Sequence, residues 1–165
     1  MIYRQANMED LPGIKKLAIV SWRQFEEKLT PQEWQKLESS LKDDKTFITL
    51  LEKAFSLICL NDNDDIIGMS FLVPGGNPTD IYQEDWCYIR FVTVHPEFGG
   101  KGIGRTLTEK CIAHAKETGE KTIALHTSEM MEKARHIYES LGFKVLKEIE
   151  PRFGKKYWLY ILNIK

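Results

Sequence analysis

The first third of the chain carries apolar residues at the three- and four-residue spacing of amphipathic helices. Asn7 is a good N-cap residue with Asp10 three positions later, so the first helix should begin near Asn7. Thr30 to Glu33 gives a second start signal, because a capping threonine, a proline and a capping-box glutamate follow in order. The stretch 47–54 fits an extension of that helix and a separate helix equally. The pattern therefore predicts two or three helices before residue 55.

From residue 55 onward the apolar runs are short and typical of strands. Two runs, at 55–60 and 66–73, flank a turn of asparagines and aspartates and predict a β-hairpin. Residues 86–94 are rich in aromatic and β-branched side chains and predict the longest strand. The elements predicted after it are a helix from about 103, a strand at 121–127, a helix at 129–141, and strands at 143–149 and 157–164. This order predicts an α/β fold around a mixed sheet, in a single domain over residues 1–165.

Composition and charge exclude several classes of protein. The formal net charge is only −1, so the chain as a whole is not attracted to nucleic acid or to an anionic membrane, and we expect neither as a partner. No apolar run approaches the roughly 20 residues of a membrane span, and the first residues lack the layout of a signal peptide. The three cysteines lie far apart, which favours neither disulfides nor a metal site and is typical of a cytoplasmic protein.

A glycine-rich segment between the long strand and the next helix is the most informative part of the chain. Four of the six residues from Gly99 to Gly104 are glycines, which lets successive N–H groups point into one concavity at the positive end of the helix dipole. Lys101 and Arg105 add positive charge. The spacing fits neither a dinucleotide fingerprint nor a P-loop. The segment therefore predicts a phosphate-binding turn of another kind, with a glycine turn that binds no ligand as the alternative.

This segment resembles the Gln/Arg-x-x-Gly-x-Gly/Ala signature of the GNAT superfamily of N-acetyltransferases. Gly102 and Gly104 match the two small positions, whereas Gly99 stands where the family usually has glutamine or arginine. A second segment, 134–143, resembles the family signature Ala-x-x-x-Tyr-x-x-x-Gly-Phe at the expected distance downstream. Met131 replaces an asparagine that relatives often have three residues before this alanine. The opening segment, residues 4–17, also looks like the first strand and helix of the family.

The resemblance implies a GNAT-like fold, a mixed and mostly antiparallel central sheet flanked by helices. In such a fold the fourth strand carries a bulge and is splayed from the fifth, and the cleft between them takes acetyl-CoA as the co-substrate. The fourth strand would pair with pantetheine, and the glycine loop would hold the pyrophosphate. The cofactor-binding residues that this implies are Val92, Thr93, Val94, Gly99, Gly100, Lys101, Gly102, Ile103, Gly104 and Arg105.

The activity that the resemblance implies is direct transfer of an acetyl group to a primary amine within a ternary complex. Because an alkylammonium has a pKa of about 10.4, some group must accept its proton at neutral pH. Tyr138 matches the family's general acid for the leaving thiolate, and a backbone N–H near Val92 would stabilise the oxyanion. His126 is the candidate base, directly or through water, against a purely structural role in its strand. Glu84 and Asp85 are rival bases or solvated loop charges.

The acceptor site is the least specified part of the sequence. Aromatic and acidic residues can hold an amine by cation–π contacts and ion pairs, although such aromatics are also common in cores. The candidates on this ground are Trp22, Glu84, Trp86 and Tyr88. We expect a small-molecule amine as the acceptor. An acetyltransferase for protein or peptide amines and a non-catalytic acyl-CoA-binding module remain the alternatives, and no residue decides whether the chain forms a homodimer.

Overall fold

A seven-stranded sheet forms the centre of the computed structural model, which describes residues 1–164. Helices cover both of its faces, and short 3₁₀ turns lie at residues 8–10, 26–28 and 96–98. The elements within the described residues are β1 (Ile2–Gln5), α1 (Leu11–Arg23), α2 (Pro31–Lys42), α3 (Asp44–Lys53), β2 (Phe55–Leu60), β3 (Ile66–Val73), β4 (Cys87–Val94), α4 (Ile103–Glu117), β5 (Thr122–Ser128), α5 (Glu132–Ser140), β6 (Lys144–Arg152) and β7 (Lys155–Asn163). No helix among them is long and apolar enough to cross a membrane.

The strand order in the sheet is β1-β2-β3-β4-β5-β7-β6. Every neighbouring pair is antiparallel except β4 and β5, which are parallel. The expected mixed, mostly antiparallel sheet is therefore confirmed. The hydrophobic pattern did not indicate β1, because this edge strand is short and largely exposed.

Both helix start signals in the sequence are confirmed. The side chain of Asn7 accepts from the N–H of Glu9 and the carboxylate of Asp10 accepts from the N–H of Asn7, around the 3₁₀ turn that leads into α1. Thr30 and Glu33 exchange the two hydrogen bonds of a capping box at the start of α2. The stretch 47–54 belongs largely to a separate helix, α3.

The last two strands extend further toward each other than the sequence predicted. Phe153 and Gly154 both have positive φ, 52° and 69°, and form the tight turn between β6 and β7. A two-residue turn of this kind matches the twist of the flanking strands, so pairing continues up to Arg152 and Lys155. This pairing places Arg152 at the end of β6.

The sheet separates two apolar layers. On one face α1, α2 and α3 pack against side chains such as Ile58, Met69 and Phe71. On the other face α4 and α5 pack against Leu57, Cys59 and others. The close approach of α4 to β3 depends on Gly68, because a Cβ there would lie 2.7 Å from Cγ2 of Ile103.

We predict that Gly68→Ala lowers the free energy of unfolding by about 1–3 kcal/mol, because the added methyl group overpacks the contact between β3 and α4. Denaturant unfolding of both proteins measures this. Gly99→Ala is the matched control, since Gly99 has an ordinary φ of −66° and its nearest neighbour would be 3.6 Å from the new Cβ. Equal losses in the two variants would contradict the prediction.

Candidate active site

A cleft opens where β4 and β5 separate. The two strands pair only at Cys87 with Ile123 and at Tyr88 with Ala124. Beyond these pairs β4 continues beside β3 up to Val94, while β5 continues beside β7. The backbone edge of residues 89–94 that faces β5 is therefore unpaired. The expected splay between the fourth and fifth strands is confirmed.

A bulge in β4 lies at the same place. Met69 pairs with Thr93 and Phe71 with Arg90, so β4 uses one residue more than β3 between these pairs. Phe91 has a φ of 53°, which is a left-handed conformation that costs a bulky residue free energy. Its ring packs 5.0 Å from the ring of Phe47, centroid to centroid, which offsets part of that cost. The bulge turns the backbone around Val92 out of the regular ladder.

The extra residue also decides which side chains of β4 face each side of the sheet. Val92 and Val94 pack on the α4 side, whereas Phe91 packs on the α1 side. Tyr88 lies on the α1 side as well; burial raises its pKa, and the nearby Arg90 opposes this shift. In a regular strand, adjacent residues point to opposite faces of the sheet. The bulge instead brings Arg90 and Phe91 to the same face, the one covered by α1.

The glycine loop follows β4 and leads into α4. Gly100 and Gly102 have positive φ, 76° and 79°, and no atom lies within 4 Å of a Cβ built on either. Among the described residues, none accepts a hydrogen bond from the backbone N–H groups of residues 100–105. The first turn of α4 has no acidic residue and no side-chain cap. These free donors at a helix N-terminus form a site that suits a phosphate.

Tyr138 lies on α5, in the apolar layer that α5 shares with α4. Its side chain is only 6% exposed and packs edge-to-face on Phe143, with ring centroids 5.9 Å apart. Burial raises the pKa of its phenol, which keeps it protonated at neutral pH. Within residues 1–164 its hydroxyl has no hydrogen-bond partner, yet no fully buried side-chain oxygen or nitrogen lacks one, so the hydroxyl lies at the accessible part of the side chain. It is free to donate to a ligand.

A second cluster lies on the opposite side of the sheet. The rings of Tyr82 and Tyr88 stack with centroids 4.1 Å apart, and the Tyr82 hydroxyl lies 2.5 Å from Nδ1 of His126. Nη1 of Arg152 lies 3.3 Å from Nε2 of His126. Arginine only donates, so Nε2 is the acceptor, and a neutral imidazole then carries its proton on Nδ1 and donates to Tyr82.

The surroundings of His126 hold it neutral. Burial lowers its pKa to about 3, and the positive charges of Arg90 and Arg152 contribute to the shift. Both ring nitrogens are engaged, by Tyr82 and by Arg152. The ring therefore has little capacity to accept a proton from a substrate.

Tyr82, in the His126 cluster, has both cationic and phenolic neighbours. Burial raises the pKa of Tyr82, and Arg90 and Arg152 oppose this shift. Tyr138, which packs on the other face, is near enough to raise the pKa of Tyr82 further.

The structure places the acceptor candidates from the sequence in different settings. Trp86 and Tyr88 are buried in the α1-side core, and the Tyr88 hydroxyl donates to the carbonyl of Asn77 at 3.2 Å. Trp22 is half-buried and packs edge-to-face on Phe25. Glu84 is exposed on the loop before β4, as is its neighbour at position 85.

Sequence reasoning missed two arginines in the second cluster. Arg90 could have been found, because it is the one charged residue in a strand of otherwise apolar, aromatic or β-branched side chains. Arg152 gave no such signal. Its place beside His126 depends on the pairing of β6, β7 and β5, which brings distant parts of the chain together.

Comparison with known proteins decides the family. The Acetyltransferase (GNAT) family profile matches residues 17–143. The chain belongs to the GNAT family. Its sheet and helices also match PaiA N-acetyltransferase from Thermoplasma acidophilum, solved in complex with coenzyme A, with a TM-score of 0.79 over 99% of this chain and 98% of that one. The identity between the two is 16%, so this likeness shows the shared GNAT fold.

Two curated proteins are similar to this chain in sequence. The L-amino acid N-acyltransferase MnaT of Escherichia coli is 34% identical over 70 residues, which cover 41% of this chain and 40% of that protein. Human N-acetyltransferase 8B is 26% identical over 137 residues, which cover 81% of this chain and 55% of that protein. The chain thus spans less than two thirds of the length of these relatives.

We predict that His126 makes folding sensitive to acid. Its pKa is about 3 in the folded protein and near 6.5 when unfolded, so the unfolded state binds more protons between these values. Stability is therefore lost as pH falls below about 6.5. His126→Asn keeps a polar group toward Tyr82. As pH falls, the free energy of unfolding of this variant should decrease less than that of the wild type, and the two slopes should differ by up to about 1.4 kcal/mol per pH unit.

Denaturant unfolding between pH 4 and pH 7 measures the two slopes. His136→Asn is the control, because His136 is exposed on α5. Parallel slopes for the wild type and His126→Asn would contradict the prediction.

Proposed function

We propose that this protein is an acetyl-CoA-dependent N-acetyltransferase that moves an acetyl group to a primary amine by direct attack in a ternary complex. The observation that carries the proposal is the set of unpaired N–H groups of residues 100–105 at the end of the splayed strand β4. Membership of the GNAT family and the likeness to a structure solved with coenzyme A support it.

The pyrophosphate of the cofactor would bind the backbone N–H groups of residues 100–105. The absence of side chains at Gly100 and Gly102 leaves room for it, and Lys101 and Arg105 are exposed beside it. Gly99 has no side chain that could add a further contact to the pyrophosphate. Backbone donors and the α4 dipole therefore supply most of the binding.

The pantetheine arm would lie along the unpaired edge of β4 at Val92, Thr93 and Val94. The Thr93 hydroxyl already donates to the carbonyl of Phe91 at 3.0 Å, so its contribution would come from the backbone. This places the thioester beside the bulge. A backbone N–H near Val92 would then face the carbonyl oxygen as it becomes an oxyanion.

Tyr138 would protonate the leaving thiolate. When the amine nitrogen bonds to the thioester carbon and the carbon–sulfur bond breaks, a thiolate leaves and needs a proton donor. The buried phenol of Tyr138 is protonated at neutral pH, and its hydroxyl has no competing partner among the described residues. We therefore assign it the role of general acid.

His126 would act as a positioning residue in this mechanism. Its low pKa and its two hydrogen bonds leave it a weak proton acceptor, while they fix the orientation of Tyr82. Water in the cleft would accept the proton that the amine loses.

We predict that Tyr138→Phe lowers kcat by about 100-fold with an unchanged Kd for coenzyme A, because only the hydroxyl is removed. Thiol release from acetyl-CoA with a panel of amines measures turnover. Tyr160→Phe is the matched control, since the Tyr160 hydroxyl pairs with the carboxylate of Glu139. Unchanged turnover in Tyr138→Phe would remove its assigned role, and coenzyme A binding without thiol release for any amine would favour a non-catalytic module.

We predict that Gly102→Ala weakens binding of coenzyme A at least tenfold, because the methyl group enters the phosphate site and strains a residue at φ 79°. Gly119→Ala is a matched control at the other end of α4. It also has a positive φ, 82°, and open space around its Cβ. Calorimetry with coenzyme A that gave equal Kd values for the two variants would contradict the assignment of the loop.

A further inference from the structure

Arg90 is a cation without an anionic partner. It lies half-buried in the middle of β4, and within residues 1–164 no carboxylate is within salt-bridge distance of it. Within the described residues, its one cation–π contact is with the ring of the adjacent Phe91, whose centroid lies 4.8 Å from Cζ. Burial lowers its pKa, and the phenols of Tyr82 and Tyr88, rather than any described aspartate or glutamate, oppose that shift. An unpaired buried charge costs stability, so its presence calls for an explanation.

A second arginine lies close to it. Arg152, at the end of β6, is near enough to Arg90 for the two charges to repel, and it also lacks a carboxylate partner in the described part of the chain. Its guanidinium donates to Nε2 of His126, which uses one of its five N–H groups. Two neighbouring cations without an acid are unusual in a chain that has 24 aspartates and glutamates.

The groups around this pair are donors as well. His126 cannot accept further, because Arg152 occupies Nε2 and Nδ1 carries its proton. Since Nδ1 donates to the oxygen of Tyr82, the hydroxyl proton of Tyr82 is free for another acceptor. The cluster therefore presents two guanidinium groups and a phenolic proton, and no anion.

The guanidinium of Arg90 is accessible. It has no hydrogen-bond partner among the described residues, while no fully buried side-chain nitrogen is left without one. Its nitrogens therefore keep some contact with solvent.

We propose that Arg90 and Arg152 bind an anionic group of the acceptor, so that the substrate is a small primary amine bearing a carboxylate or a phosphate. This inference rests on the proposed function, because it assigns the α1 side of the gap to the acceptor and the Tyr138 side to the thioester. The planar guanidinium groups suit bidentate contact with either anion. Such an acceptor neutralises the pair when it binds.

Matched acceptors test the charge directly. Each amino acid is compared with its carboxamide and its decarboxylated amine, for example L-leucine with L-leucinamide and isoamylamine. O-phosphoethanolamine compared with ethanolamine is the phosphate arm. We expect kcat/KM for the acid or the phosphate to exceed that of its neutral match by about 10- to 100-fold, and the arm with the larger ratio identifies the anion.

Variants test the residues. Arg90→Gln and Arg152→Gln should each raise KM for the anionic acceptor by about 10- to 100-fold, while KM for acetyl-CoA stays unchanged. Arg90→Lys keeps the charge and should recover part of the loss. Lys144→Gln removes one positive charge from the exposed start of β6 and is the matched control, expected to leave all these values unchanged.

Stability gives a readout that does not depend on turnover. Arg90→Met removes an unpaired charge, so its Tm should rise by about 2–4 °C, whereas a purely structural arginine would give a fall. Equal kcat/KM for acids and their neutral matches, with coenzyme A binding intact, would overturn the anion site alone. Loss of coenzyme A binding and of thiol release with every amine would instead count against the proposed function.

Discussion

The early separation of β4 from β5 is the constraint on which the rest of the site depends. A continuous sheet would satisfy the backbone of residues 89–94 and would leave no passage between its two faces. The bulge at Phe91 contributes to this geometry, because it breaks the ladder with β3 and changes which side chains of β4 face each layer. The apolar contacts of Phe91 with Phe47 and Phe71 hold this strained residue in place. The packing of α3 against the bulge therefore offsets part of the free energy that is lost where the sheet is interrupted.

Unsatisfied donors mark both ends of the proposed reaction path. At one end, the N–H groups of residues 100–105 lack acceptors, and at the other end Arg90 and Arg152 lack carboxylates within the described residues. The formal net charge of the whole chain is −1, so it does not indicate the local excess of positive charge at these two sites. Such groups lower stability unless a ligand completes them, and functional sites commonly retain them for that reason. A diphosphate at the loop and a small anion at the arginine pair would complete both.

The roles of individual side chains were predictable to different degrees. Tyr138 and the glycine loop lie in short, contiguous patterns, and the structure places Tyr138 on α5 and the loop at the start of α4. For His126, the pattern of residues indicated the strand and the candidate, whereas the chemistry of the imidazole depends on groups far away in the chain. Burial and two arginines from other strands lower its pKa to about 3, which favours positioning over proton transfer. A pKa is set by the whole environment, and local sequence cannot report it.

The sequence by itself determined the elements, since capping at Asn7 and Thr30, the apolar periods and the glycines near residue 100 act over a few residues. It also determined the family, through two motifs that each lie within one segment. Only the tertiary structure decided the strand order, the bulge and the meeting of Arg90 with Arg152. Strand register and the approach of Arg90 to Arg152 depend on contacts between segments that lie far apart in the chain, and no local pattern specifies them.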